Sequence, residues 1–147
     1  MEIASNLYDV LMENYLLLIE SDRQFFARFK LSQVRYFALL HIAQHPTISL
    51  TELSKRLICT KGNTTRIIQS MVNDGFLTRT KDQTDQRALQ LELTTSGWDL
   101  FHQVQQEFEI LNQQRFKGMT VDAPELIQIL SVLKTDLERS LKPSNKT

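Results

Sequence analysis

The spacing of apolar positions changes twice along this chain, and each change marks a boundary in the expected fold. Ile3, Leu7, Val10, Leu11 and Leu18 recur at helical spacing and lead into Phe25, Phe26 and Phe29. This predicts a long first helix with a break near Ser21-Asp22. Ser32 stands as an N-cap before a second helix, Gln33 to about Gln44, closed by His45-Pro46. Val34, Tyr36, Phe37, Ala38, Leu39, Leu40, Ile42 and Ala43 make that helix apolar on nearly every side, so it is expected to be the buried centre. Thr47 to Leu50 leaves room only for a small strand. Ser49 and Glu52 then form a capping box for a short helix from Leu50 or Thr51 to Leu57, and Thr60 caps a helix running to Asp74. Gly75 is its left-handed stop, with Phe76 placed to pack back on the last turn. Two short helices parted by Ile58-Cys59-Thr60 read as a helix-turn-helix.

After Gly75 the period shortens. Phe76 to Thr80 and Ala88 to Leu93 are β-prone and flank a polar stretch, which predicts a hairpin. Thr94 caps a further long helix carrying Trp98, Phe101, Val104 (or Gln105), Phe108 and Leu111 three or four apart. Asp122, as a cap, and Pro124 open a last helix, whose Leu126, Leu130, Leu133, Leu137 and Leu141 make a narrow, near-heptad seam. The expected class is mainly α with a small β-wing: a winged helix-turn-helix over residues 31–94, flanked by long N- and C-terminal helices (1–30 and 95–147) in one domain.

The chemistry concentrates in the middle. Projected at about 100° per residue, the helix after Thr60 turns Ile67, Ile68, Met71 and Val72 to one side. Gly62, Asn63, Arg66, Gln69, Ser70 and Asn73 face the other, with Lys61 and Thr65 at the flank. An arginine fork matches guanine, and Asn and Gln amides match adenine, in a major groove. Gly62 leaves room for close backbone approach, and a helix N-terminus favours a phosphate. Arg87 returns from the hairpin tip two residues after Asp85. An arginine on a thin projection fits a narrow minor groove, and Asp85 is placed to aim it. The plain alternatives are a solvated helix face and an exposed salt bridge of little worth.

Composition narrows the class without naming a partner. The 147 residues carry 17 basic and 17 acidic side chains. Residues 51–90 hold seven Lys/Arg against four Asp/Glu, while the flanks lean acidic, a distribution compatible with a nucleic-acid footprint. A single cysteine, Cys59, excludes an internal disulfide scaffold. No apolar run approaches the roughly 18 residues of a membrane span, and Met1-Glu2 begins no signal sequence. A soluble cytoplasmic protein is expected. No phosphate loop, nucleophile elbow or zinc-ligand spacing appears, so neither an enzyme nor a cofactor is expected. His41 and His45, with His102 as a distant third, lack an acidic or Cys partner for a metal. Cys59 has no resolving cysteine, and it reads as a small hydrophobe rather than a redox sensor.

The stretch from Leu31 to Gly97 resembles the DNA-binding region of the MarR family of bacterial transcriptional regulators. The likeness rests on Leu31-Ser32, Tyr36 and Leu39, Leu50 to Leu57, Thr60 to Arg66 and Gly75 to Arg79. Its most specific part is Asp85-Gln86-Arg87 followed by Leu93-Thr94 and Gly97. With flanking helices of suitable length, the resemblance covers nearly the whole chain. It implies a homodimer with intertwined terminal helices, two winged lobes on a pseudo-palindrome of double-stranded DNA, and a repressor released by a small-molecule effector. The DNA-binding set it implies is Lys61, Gly62, Asn63, Thr64, Thr65, Arg66, Gln69, Arg79, Asp85 and Arg87. Tyr15, Arg35 and Tyr36 lie on helices that border an effector cleft in the family, although core packing is the plainer reading of such aromatics. Two positions depart from the pattern: Gln86 replaces a common wing arginine, and Ile58 stands where glycine is common in the turn. The seams at 98–111 and 126–141, with Leu7, Val10 and Leu11, offer more apolar face than a winged lobe can cover, as a two-fold interface requires. The competing class is a winged-helix module for protein contacts, with no sequence-specific DNA binding.

Overall fold

The computed structural model describes residues 1–81, 89–119 and 121–141. Its elements are α1 (Glu2–Ala27), α2 (Gln33–Gln44), α3 (Leu50–Leu57), α4 (Lys61–Asn73), β1 (Leu77–Lys81), β2 (Leu89–Leu93), α5 (Thr95–Arg115), a 3-10 turn (Lys117–Met119) and α6 (Ala123–Ser140). They divide into two compact units, residues 1–108 and 109–147, with the boundary inside α5. No helix among the described residues is long and apolar enough to cross a membrane.

In the first unit α2 is the hub. Tyr36, Ala38, Leu39 and Ile42 are buried, and the helix packs against α1, α3, α4 and β2. Aromatic rings join it to α1 and α5: Phe26 stacks on Tyr36 at 4.8 Å between centroids, and Phe108 lies 5.0 Å from Phe26 and 5.4 Å from Tyr36. Offset and edge contacts of this kind add about 0.5–1.5 kcal/mol per pair beyond area burial. The expected break in α1 is absent. Asp22 is buried and its carboxylate accepts from Gln33 Nε2 at 2.8 Å, so it does not compete for the helix backbone. Burial divides α1 instead: Phe25 and Phe26 are core, whereas Ile3, Leu7, Val10 and Leu17 are exposed.

Helices α1, α3 and α4 end in one way. A residue with positive φ (Lys30 at 53°, Ile58 at 52°, Gly75 at 82°) lets the next N–H reach back five residues. Leu31 donates to the Phe26 carbonyl, Cys59 to Ser54 and Phe76 to Met71, at 3.1, 3.0 and 2.9 Å. Only glycine adopts that conformation without steric cost. Ile58, β-branched and 86% exposed, gains nothing in return within the protomer. Ile58→Gly is therefore expected to stabilise the fold by about 0.5–1 kcal/mol, since relief of strain exceeds the added chain entropy. Urea unfolding should show a higher midpoint at unchanged slope; a lower midpoint would contradict the strain argument.

The caps follow the expected positions, with two differences in detail. Ser32, Ser49, Thr60 and Thr94 each accept a backbone N–H three residues on. The Ser49 box is half made, because the Glu52 carboxylate turns to Arg56 Nε at 3.2 Å. Asp122 precedes α6 without a side-chain cap bond. No strand forms at Thr47 to Leu50: a turn at Pro46-Thr47 leads into α3 at Leu50, and Ile48 is buried and donates to the His45 carbonyl.

The antiparallel pair β1–β2 sets Leu77 opposite Leu93 and Arg79 opposite Leu91. Leu77 and Leu91 are buried, so this row faces the core, while Thr78 and Glu92 face outward. In the second unit α6 contains no buried residue, and Ile127, Leu130, Leu137 and Leu141 are all exposed.

Candidate nucleic-acid interface

Helix α4 has two faces with different tasks. Ile68 and Met71 are fully buried against the unit's core, and Ile67 and Val72 are half-buried. The other side, Lys61, Gly62, Asn63, Thr65, Arg66, Gln69, Ser70 and Asn73, is exposed throughout. A Cβ at Gly62 would meet nothing within 4 Å, so the surface there is open. Thr64 departs from the expected set. It is fully buried and its hydroxyl donates to the Thr60 carbonyl at 3.0 Å, so its side chain holds the start of α4 and does not join the outer face.

The exposed side chains are organised among themselves. Arg66 Nη2 donates to Asn63 Oδ1 at 2.9 Å, and Gln69 Nε2 donates to Asn73 Oδ1 at 2.9 Å. Thr65 Oγ1 donates to the Lys61 carbonyl at 2.8 Å, which leaves the oxygen's lone pairs outward. Asn63 thus orients Arg66 before any ligand arrives. The spacing of three is visible in the sequence, but the hydrogen bond that couples the two side chains is not.

The other candidates separate. Arg79 lies in the inner row of the wing beside Leu77, half-buried, with its Nε out of solvent and unpaired among the described residues. Asp85, Gln86 and Arg87 lie outside the described residues. Tyr15, Arg35 and Tyr36 do not converge on one cleft. Tyr36 is 3% exposed and packed by Phe26, Phe101 and Phe108. Tyr15 is exposed and eleven positions before Phe26, about 16 Å along the helix. Arg35 donates to the Asp74 carboxylate and lies over the Phe76 ring, 6.0 Å from its centroid. A half-open cleft of about 230 Å³, lined by Ile42, Pro46, Leu91, Glu92, Leu93 and Trp98, is a separate feature.

His41 is half-buried, and burial, then the charges of Arg56 and His45, hold it below the usual imidazole range. Among the described residues no three His, Cys, Asp or Glu side chains stand together as a metal site. Cys59 is half-buried, with its thiol directed at the Leu57 carbonyl at 3.4 Å.

Helix-turn-helix, paired strands and an outward polar helix face all fall within one stretch, and the family model for MarR matches residues 31–89. Residues 31–89 are a MarR-family region. The chain is a transcriptional regulator with a DNA-binding, MarR-like winged helix. It is 25% identical over 117 residues to the HTH-type transcriptional regulator SarZ of Staphylococcus saprophyticus, covering 80% of this chain and 77% of that protein. Solved structures share the fold. The regulator AbsC from Streptomyces coelicolor superposes with a TM-score of 0.85 at 18% identity, over 94% of this chain and 96% of that one. A Staphylococcus aureus MarR, solved in complex with salicylate and kanamycin, gives 0.79 at 17% identity, over 98% and 96% of the two chains.

Proposed function

We propose that this MarR-like protein is a homodimeric repressor that reads a pseudo-palindromic operator and leaves it on binding a small molecule. The observation that carries the DNA reading is the unbroken exposed row on α4 from Lys61 to Asn73, on a helix fixed from behind by Ile68 and Met71. Lys61 and the open backbone at Gly62 meet phosphate, and Asn63, Arg66 and Gln69 meet base edges. Thr65 accepts at the groove wall. Arg87, aimed by Asp85, enters the adjoining minor groove, and Arg79 backs the wing. The uncovered apolar faces of α1 and α6 support the two-fold assembly. The ligand complex of the S. aureus protein supports a small-molecule effector here as well.

Titration of labelled duplex of random sequence at rising salt tests the reading. Binding should weaken steeply, with about 0.9 in the logarithmic slope for each phosphate neutralised. Selection from a random duplex pool should then yield a two-fold symmetric site. No retention of any duplex at low salt would overturn the DNA reading in favour of a protein-contact module.

A further inference from the structure

The residues Asp74-Gly75-Phe76, which end α4, are gripped by the start of α5. The Thr94 N–H donates to the Phe76 carbonyl at 3.1 Å, and Thr94 Oγ1 donates to the Gly75 carbonyl at 2.6 Å. The same oxygen accepts the Gly97 N–H at 3.0 Å, so one hydroxyl both caps α5 and holds the end of α4. Gly97 is buried against this turn. A Cβ there would lie 2.2 Å from the Phe76 carbonyl oxygen, a distance no real side chain tolerates. On the other side Arg35 of α2 holds Asp74 and covers Phe76. The end of α4 is thus tied to a helix that continues unbroken to Arg115.

We infer that Thr94 and Gly97 are positioning residues for DNA recognition, setting the angle of α4 through the first turn of α5. This rests on the proposed function. Neither residue faces DNA; both act through the Gly75-Phe76 carbonyls. One lobe reading one half-site needs only the face of α4. Two lobes reading two half-sites at fixed spacing also need each α4 held at a fixed angle within its own lobe. Once one lobe is seated, the second binds intramolecularly, and that advantage disappears if the geometry does not fit.

Thr94→Val keeps the shape of the side chain and removes its hydroxyl; Thr94→Ser keeps the hydroxyl. Each is titrated against a single selected half-site and against the full two-fold site, with folding checked by circular dichroism. Thr94→Val is expected to bind the half-site within about twofold of the unaltered protein and to lose about tenfold or more on the full site. Thr94→Ser should restore full-site binding. Equal loss on both duplexes would show a merely structural role and overturn the inference, as would an unchanged ratio. Failure of the unaltered protein to bind any duplex would instead count against the proposed function, and would show in the first titration.

Discussion

Arg66→Ala is expected to remove most of the sequence preference of this protein while leaving its non-specific affinity nearly intact. Arg66 is exposed on α4, and its guanidinium is already oriented by Asn63 Oδ1 at 2.9 Å. A fork held in one direction loses less side-chain freedom on meeting a guanine edge. Its removal should cost about 1–3 kcal/mol per half-site, and about twice that on a two-fold operator. Lys61→Ala is the matched control. A phosphate contact carries no base information, so its loss should weaken operator and scrambled duplex alike. Competition titrations on the two duplexes separate these outcomes. Equal weakening on both by Arg66→Ala would assign Arg66 to the phosphates.

Leu137→Asp should convert the protein from dimer to monomer without unfolding the protomer. Leu137 is 54% exposed, and α6 buries no residue of its own. Among the described residues its side chain fills no core position, so the penalty is expected to fall on assembly. Burial of a leucine is worth about 1.5–3 kcal/mol, and a carboxylate in its place must also be desolvated. A two-fold interface contains the position twice. Sedimentation at micromolar concentration should report the monomer mass with helical circular dichroism retained. A dimer that survives the substitution would place the interface elsewhere.

The fold was largely legible because local signals agreed with one another. Caps at Ser32, Ser49, Thr60 and Thr94, the apolar α2 and the change of period after Gly75 all led to elements now seen. What escaped the sequence has a physical reason in each case. The endings at Lys30 and Ile58 use non-glycine residues in a glycine conformation; composition gives no sign of the first, and only the resemblance, through a glycine common at position 58, points to the second. Asp22 looked like a helix breaker because its hydrogen bond from Gln33 comes from another helix, a contact the local sequence does not show. Thr64 sits among polar residues yet turns inward, since its hydroxyl is satisfied by its own helix and its methyl group packs like a small apolar residue. Tyr36 could be a ligand contact or a core ring by sequence alone; three neighbouring rings decide for the core. On the outer face of α4, helical projection identified the surface correctly but not the Asn63–Arg66 coupling within it.

Gly62 has a consequence for the dynamics of that surface. Beyond its chain neighbours and its own helix backbone, no atom of the described residues stands within 4 Å of where its Cβ would be, so packing there does not demand glycine. Glycine costs about 1 kcal/mol of helix stability relative to alanine, and Asn63 beside it is also a weak helix former. The exposed side of the first turn of α4 is therefore its least constrained part, and the Thr60 hydroxyl and the buried Thr64 are the contacts that oppose fraying. The half that carries Ile68 and Met71 is anchored by the core. On the proposed DNA reading, recognition by such a helix would include ordering its own leading turn, an entropy term that subtracts from affinity equally on every sequence and lets the backbone amides adjust to a phosphate.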